Sequence, residues 1–184
     1  EIADFMQARL AVLLQNDYAQ DTVSAVLAQH PDRFTVHELY REYAHDTIDV
    51  GREQALVEAH RSLVLQFPVY WFNCPPLLKQ WLDDVLTYGW AYGSKATGLR
   101  GKKAGIAVSL GSPADAYRAG GEIGATVAEA LRAFALTVNY CHALWQPIFA
   151  FHGIDSTAPG YDDGKRAEVA RSAGDYLAHL ARYY

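Results

Sequence analysis

The sequence predicts an α/β fold, with one parallel sheet covered by helices on both faces. Three observations carry that prediction. Short apolar runs alternate with helical stripes along the chain, the pattern of repeated βα units. The runs are apolar at successive positions, as strands buried on both sides require. The 184 residues are 51% hydrophobic and 20% charged, which suits one well-packed domain and excludes a disordered chain.

Leu10 to Leu14 (LAVLL) reads as the first strand. Val23, Val26, Leu27 and His30 follow at i, i+3, i+4 and i+7, one face of a helix. HPDR then turns the chain, and RFTVHEL carries a second strand with Phe34, Val36 and Glu38. Glu53 to His60 reads as a short helix and Leu63 to Gln66 as the third strand. Pro75 and Pro76 fit a first helical turn, where a missing N–H costs nothing. Leu78, Trp81, Leu82, Val85 and Leu86 give that helix its apolar stripe. Gly101, Lys102 and Lys103 lead into AGIAVSL, the fourth strand. Val127, Leu131, Phe134, Ala135 and Val138 mark the fourth helix, and Trp145 to Phe151 the fifth strand. Val169, Ala173, Tyr176, Leu177 and Leu180 close the chain with a fifth helix. Five βα units predict a five-stranded sheet in the flavodoxin-like order 2-1-3-4-5. The rival dinucleotide fold wants GxGxxG after the first strand, where this chain has QNDYAQDT with no glycine.

Composition excludes several function classes. Net charge is -5 and the pI about 5.8, so the basic footprint of a nucleic-acid binder is absent. The longest apolar run, Leu63 to Phe72, is broken by Gln66 and Pro68, too short for a membrane helix. The opening EIADFMQARL lacks the basic region of a signal peptide, and Cys74 and Cys141 have no metal or disulfide spacing. Both point to a cytoplasmic protein. Cys74 reads as a buried structural thiol. Seven histidines show no HExxH and no i, i+4 pair, so no metal site is expected. Most of them read as surface or locally bonded residues. Ser109 in SLGSP lacks the GxSxG elbow of a hydrolase. Asp83 and Asp84 point about 100° apart on a helix and read as solvated or interface charges.

Ligands of an open α/β sheet bind beyond the carboxyl ends of the strands, at the switch point. Here that means Gln15 to Thr22, Phe67 to Asn73 and Ser109 to Gly121. FPVYWFN holds four aromatic residues in seven positions, which fits either a wall for a flat ligand or a subunit interface. SLGSPADAYRAGG has three glycines, whose lack of a Cβ lets backbone N–H groups approach a ligand.

The stretch from Gln66 to Lys79, QFPVYWFNCPPLLK, with Trp81-Leu82-Asp83 and Val85 to Gly93, resembles the NAD(P)H:quinone oxidoreductase family. These are flavodoxin-like flavoproteins. The resemblance is strongest to a bacterial branch that includes ancillary subunits of glutathione-gated potassium-efflux systems. It continues through Leu99 to Lys103, Ser109 to Ser112 and Tyr117, and takes in Val36 to Tyr40 and Ile48 to Val50. It covers roughly residues 9 to 180, leaving residues 1–7 as an extension before a single domain over 8–184.

The resemblance implies FMN as cofactor (FAD as the alternative), NAD(P)H as substrate and a quinone or other small aromatic acceptor. It implies a homodimer with its site at the interface, the third helix and Tyr88 to Tyr92 lying near the two-fold. It also implies a membrane potassium-efflux protein as partner, which would hold the chain peripheral to the inner membrane. Pro68, Val69, Tyr70, Trp71 and Phe72 would flank the flavin ring, the amides of Trp71 and Phe72 lying near its N5–O4 edge. Ser109, Leu110, Gly111 and Ser112 would lie against its pyrimidine end. Tyr117 would be the catalytic residue, its hydroxyl near O2, where a donor stabilises the charge of reduction.

The chain departs from the family in three places. Ser112 stands where the family's loop has a second glycine. Some members carry a histidine about six positions after the tyrosine; here Glu122 and Ile123 stand there, and the sequence shows no replacement base. The phosphate loop departs most. Asn16, Thr22 and Ser24 are its candidate phosphate ligands, and Asp21 aligns where the family has serine. As an N-cap, Asp21 competes for the N–H groups that hold phosphate. A carboxylate about 4 Å from a phosphate charge costs on the order of 4 kcal/mol at an effective dielectric near 20. Two readings stay open: an FMN-dependent quinone reductase, and a flavodoxin-like regulatory or interaction protein with weakened or lost flavin binding.

Overall fold

The structure, a computed structural model, describes residues 10–14, 27, 29–43, 45, 47–154 and 163–184. Its strands are β1 (Leu10–Leu14), β2 (Phe34–Glu38), β3 (Ser62–Pro68), β4 (Lys103–Leu110), β5 (Leu144–Trp145) and β6 (Phe149–His152). They form one sheet in the order β2-β1-β3-β4-β5, with β6 also pairing β4. Every pairing is parallel. The predicted order holds, but the predicted fifth strand is two. β5 pairs Lys103 and Ala104, and β6 pairs Ala107 to Leu110. Pro147, which has no N–H to give the ladder, sits in the break. The chain's last residue packs onto the sheet beside that break. A Cβ on Gly105 would lie 2.1 Å from the Tyr184 hydroxyl, so only glycine leaves room for it.

The helices are α1 (Leu39–Tyr43), α2 (Val50–Glu58), α3 (Pro76–Val85), α4 (Val127–Ala130), α5 (Arg132–Tyr140) and α6 (Asp163–Tyr183). α1 is absent from the sequence reading. α2 starts earlier than predicted because Asp49 caps it, its carboxylate accepting from the Arg52 amide at 3.0 Å. The predicted fourth helix is interrupted at Leu131, after the Thr126–Glu129 capping box that opens α4. Lys102 closes the other end of α2, donating to the carbonyls of Glu58 and His60. The predicted first helix, over 23–30, lies mostly outside the described residues.

Alternation along the strands divides the core between two faces. Leu63, Leu65, Phe67, Ala104, Ile106, Val108 and Leu110 pack with residues of α1, α2, α3 and α5. Val64 and Ala107 face the other way, against Tyr176 and Leu180 of α6, with Leu27 and Phe34. Helices therefore cover both faces, as the sequence predicts.

Candidate functional site

The site is built where β3 and β4 leave the sheet side by side. Their pairing runs to Pro68 opposite Ser109, and the Val69 amide donates to the Ser109 carbonyl at 2.9 Å. β6 holds β4 from its other side. The Gly153 amide donates to Ser112 at 3.2 Å and the Ile154 amide to Leu110 at 3.0 Å. The two ligand loops thus start from a fixed base.

After Val69 the chain makes a tight turn. Tyr70 and Asn73 exchange backbone hydrogen bonds of 2.9 and 3.0 Å. The two residues between them, Trp71 (φ 50°) and Phe72 (φ 60°), are both left-handed. Such turns favour Asn-Gly, because a Cβ is crowded at positive φ. Two bulky aromatics there cost on the order of 1–2 kcal/mol each. Strain of this kind persists where the surroundings enforce it, typically at functional sites. The amides of Trp71 and Phe72 take no part in the turn's own bonds. Trp71 is 94% exposed, Tyr70 51% and Phe72 45%. Asn73 ends the turn by accepting from the Cys74 amide at 2.8 Å, and α3 begins at Pro76. Cys74 is buried, and burial pushes its thiol up to about 11, too high for a nucleophile at neutral pH.

The second loop presents its residues unequally. The side chains of Pro68, Ser109 and Leu110 are buried, so they offer a ligand only backbone. Gly111 is exposed, Ser112 half-buried. A short 3₁₀ turn over Ala114–Ala116 delivers Tyr117, half-buried, with burial raising its hydroxyl pKa. Its ring lies against the imidazole of His152, centroids 5.6 Å apart. Pro68, Val69, Tyr70, Trp71, Phe72, Ser109, Leu110, Gly111, Ser112 and Tyr117 therefore sit at one sheet end, on the last residues of β3 and β4 and on the two adjoining loops that follow them. Asn16, Asp21, Thr22 and Ser24 lie outside the described residues.

The sequence reading missed two histidines. His152 approaches Tyr117 from β6, an imidazole that the sequence reading did not connect with the tyrosine. The partner arrives from a strand some 35 residues away rather than from the tyrosine's own loop. His37 is likewise no surface residue. It is buried and meets Glu53 at 2.9 Å. Asp83, by contrast, is the expected solvated charge, paired with Lys79 at 2.6 Å.

A family model described as a flavodoxin-like fold matches residues 14–179. A Bacillus subtilis protein named as the uncharacterized NAD(P)H oxidoreductase YrkL is 49% identical over 127 residues, 69% of this chain and 72% of that one. The chain belongs to the flavodoxin-like NAD(P)H oxidoreductases. Within this family it is 34% identical over 177 residues to KefG of Escherichia coli, 94% of each chain. KefG is named as an ancillary protein of a glutathione-regulated potassium-efflux system. The crystal structure of general stress protein 14 from Treponema denticola, in complex with FMN, superposes with a TM-score of 0.85 at 54% identity. It covers 95% of this chain and 98% of that one. An NADPH-quinone reductase from P. pentosaceus gives a TM-score of 0.74 at 29% identity, over 93% of this chain and 97% of its own.

Proposed function

We propose that the chain is an FMN-dependent NAD(P)H:quinone oxidoreductase acting as a homodimer. The observation that carries this reading is the turn from Tyr70 to Asn73. It holds two aromatic residues in left-handed conformations, with their amides outside its own hydrogen bonds. A flat ring with a polar edge fits that arrangement: apolar side chains to lie against and two N–H groups to bind. The FMN complex of the T. denticola relative supports FMN as that ring. Bound FMN would take a hydride from NAD(P)H and pass two electrons to a quinone in a ping-pong cycle.

The protein's own residues divide the remaining work. Trp71 and Phe72 would hold the ring's polar edge through their amides. Pro68, Val69 and Tyr70 would form the adjoining wall. Ser109 and Leu110 would contribute backbone alone, since their side chains are buried, with Gly111 and Ser112 leaving the pyrimidine end accessible. Tyr117 would donate its hydroxyl; the raised pKa keeps it protonated at neutral pH. Asn16, Thr22 and Ser24 would hold the phosphate.

Exposed large apolar side chains support the dimer. Tyr88 is 76% exposed, Tyr140 69% and Leu136 56%. Between α3 and α5 runs a groove of about 540 Å³, with Leu82, Leu86, Tyr92, Leu136 and Tyr140 in its lining. Exposed apolar side chains gathered on one face support an interface there. Sedimentation at micromolar concentration is expected to show twice the 20.4 kDa chain mass; a monomer would overturn the dimer. No helix among the described residues is long and apolar enough to cross a membrane. The KefG likeness supports docking on a membrane efflux protein.

FMN titration by fluorescence quenching tests the reading. Binding at micromolar concentration or tighter, with NAD(P)H bleaching the flavin and a quinone restoring it, is the expected result. A protein that stays colourless with excess FMN would favour the regulatory reading.

A further inference from the structure

Because every strand pairing is parallel, the strands all start at one edge of the sheet, and that edge carries a row of cations. Phe34, Leu10, Ser62 and Lys103 stand level in the register. The residues just before three of them, Arg33, Arg61 and Lys102, therefore line up across the amino end of the sheet. Neighbouring strands lie about 4.8 Å apart, so the row spans roughly 15 Å. Lys103 and Arg100 extend it at the start of β4. Arg182, in the last turn of α6, joins it beside Tyr184, whose carbonyl lies 3.5 Å from the Lys103 ammonium. Arg33, Arg61, Arg100 and Arg182 are exposed. Lys102 and Lys103 are half-buried, Lys102 being held by the carbonyls of Glu58 and His60. Among the described residues Asp32, Glu58 and Asp84 are the carboxylates at these ends of the elements, and Glu58 is bonded to the Trp90 indole.

We propose that this amino edge rests on an anionic lipid surface, leaving the ligand loops facing water. The proposal needs neither FMN nor an efflux partner. The chain as a whole carries a net charge of -5, so a surface this basic is a segregation of charge and not a general excess. The opposite end shows the reverse: on the ligand loops, residues 69–75 and 111–126, Arg118 is the one basic residue, against Asp115 and Glu122. β3 is seven residues long, which puts the two ends about 20 Å apart. Salt at 0.1 M screens charges beyond about 10 Å. A surface in contact with the amino edge therefore feels the row far more than the acids of the ligand end. The low pI argues against nucleic acid as the occupant. An apolar neighbour argues for lipid over an acidic protein face. Leu144 stands level with Lys103 on the same edge and is 55% exposed. Basic side chains beside an exposed apolar one suit a headgroup layer, where the cations meet phosphate and the leucine reaches the acyl boundary.

Each cation near an anionic bilayer strengthens binding about fivefold. The experiment sediments the purified protein with vesicles of equal parts phosphatidylglycerol and phosphatidylcholine, and with phosphatidylcholine alone. Binding is expected to the mixed vesicles only, and to fall as salt is raised. Arg33→Gln combined with Arg61→Gln should weaken it about 25-fold. Arg118→Gln combined with Arg132→Gln makes the same change of charge at the ligand end and should leave binding within about twofold. Circular dichroism checks that each pair folds; Arg182→Gln, on a separate element, is a further variant with an expected loss of about fivefold. No binding to mixed vesicles, equal binding to phosphatidylcholine alone, or equal weakening by the two pairs overturns the proposal. Binding to poly-glutamate through Arg33 and Arg61 without binding to vesicles also overturns it, and assigns the edge to an acidic protein surface.

Discussion

Among the described residues two histidine clusters, one buried and one half-buried, are finished differently. At the first, Glu53 of α2 is fully buried and receives three donors. Tyr43 of α1 at 2.6 Å and His37 of β2 at 2.9 Å share one carboxylate oxygen; the Trp81 indole of α3 takes the other at 2.8 Å. At the second, His152 and Tyr117 touch ring to ring; the imidazole has a backbone hydrogen bond at Ser112, and among the described residues its Nδ1 has no partner. The closed cluster ties four elements on one face of the sheet and has nothing left to offer a ligand. The open cluster stands at the strand ends, beside a turn strained by Trp71 and Phe72. Satisfied networks rigidify, and unsatisfied ones call for a functional explanation. The closed cluster fixes α3, and α3 in turn anchors the turn that the ligand would meet.

The largest expected effect breaks the closed cluster. Glu53→Ala leaves three buried donors without an acceptor and is expected to cost about 3–5 kcal/mol in urea unfolding. The pH dependence has a definite sign. Burial alone would raise the Glu53 pKa, but the bonds from His37, Tyr43 and Trp81 outweigh it and lower it from 4.5. Its stabilisation is therefore complete above about pH 4.5 and fades as the pH falls through the lower folded value. Glu53→Gln should remove that acid-dependent part of the urea midpoint.

At the open cluster the balance reverses. Tyr117→Phe should change folding stability by less than about 1 kcal/mol and slow hydride transfer roughly a hundredfold, near 3 kcal/mol. Equal losses in stopped-flow rate and in FMN affinity would leave Tyr117 a packing residue. Asp21→Ser exchanges one favoured N-cap residue type for another and removes a negative charge from the proposed phosphate loop. Fluorescence titration should show a gain in FMN affinity of about one to two decades, or 1.4 to 2.8 kcal/mol. The smallest effect is Trp71→Asn. Asparagine tolerates positive φ, so thermal unfolding should report a gain of up to about 1 kcal/mol while FMN affinity falls.

How legible each cluster was follows from sequence distance. The strands, their order and FPVYWFN could be read because each is a local pattern of apolar or aromatic residues. The two-piece edge strand was hidden by its own apolar run, although Pro147 within it was the signal against an unbroken ladder. α1 was hidden because LYREY has a single turn's worth of pattern. The clusters themselves are long-range. Glu53 joins residues 10 to 28 positions away, and His152 meets Tyr117 only because β6 pairs beside β4. No local spacing announces such contacts, though a histidine ending an apolar strand at the ligand end of the sheet was a usable hint.

The contrast between the clusters is tested most directly by amide and side-chain NMR shifts on adding FMN to the apoprotein. The amides of Trp71 and Phe72 and the ring signals of Tyr117 and His152 should move together and saturate at one FMN per chain. The Trp81 indole N–H, sealed against Glu53, should stay in place. Shifts centred on Trp81 and His37, with Trp71, Phe72 and His152 unmoved, would contradict the account.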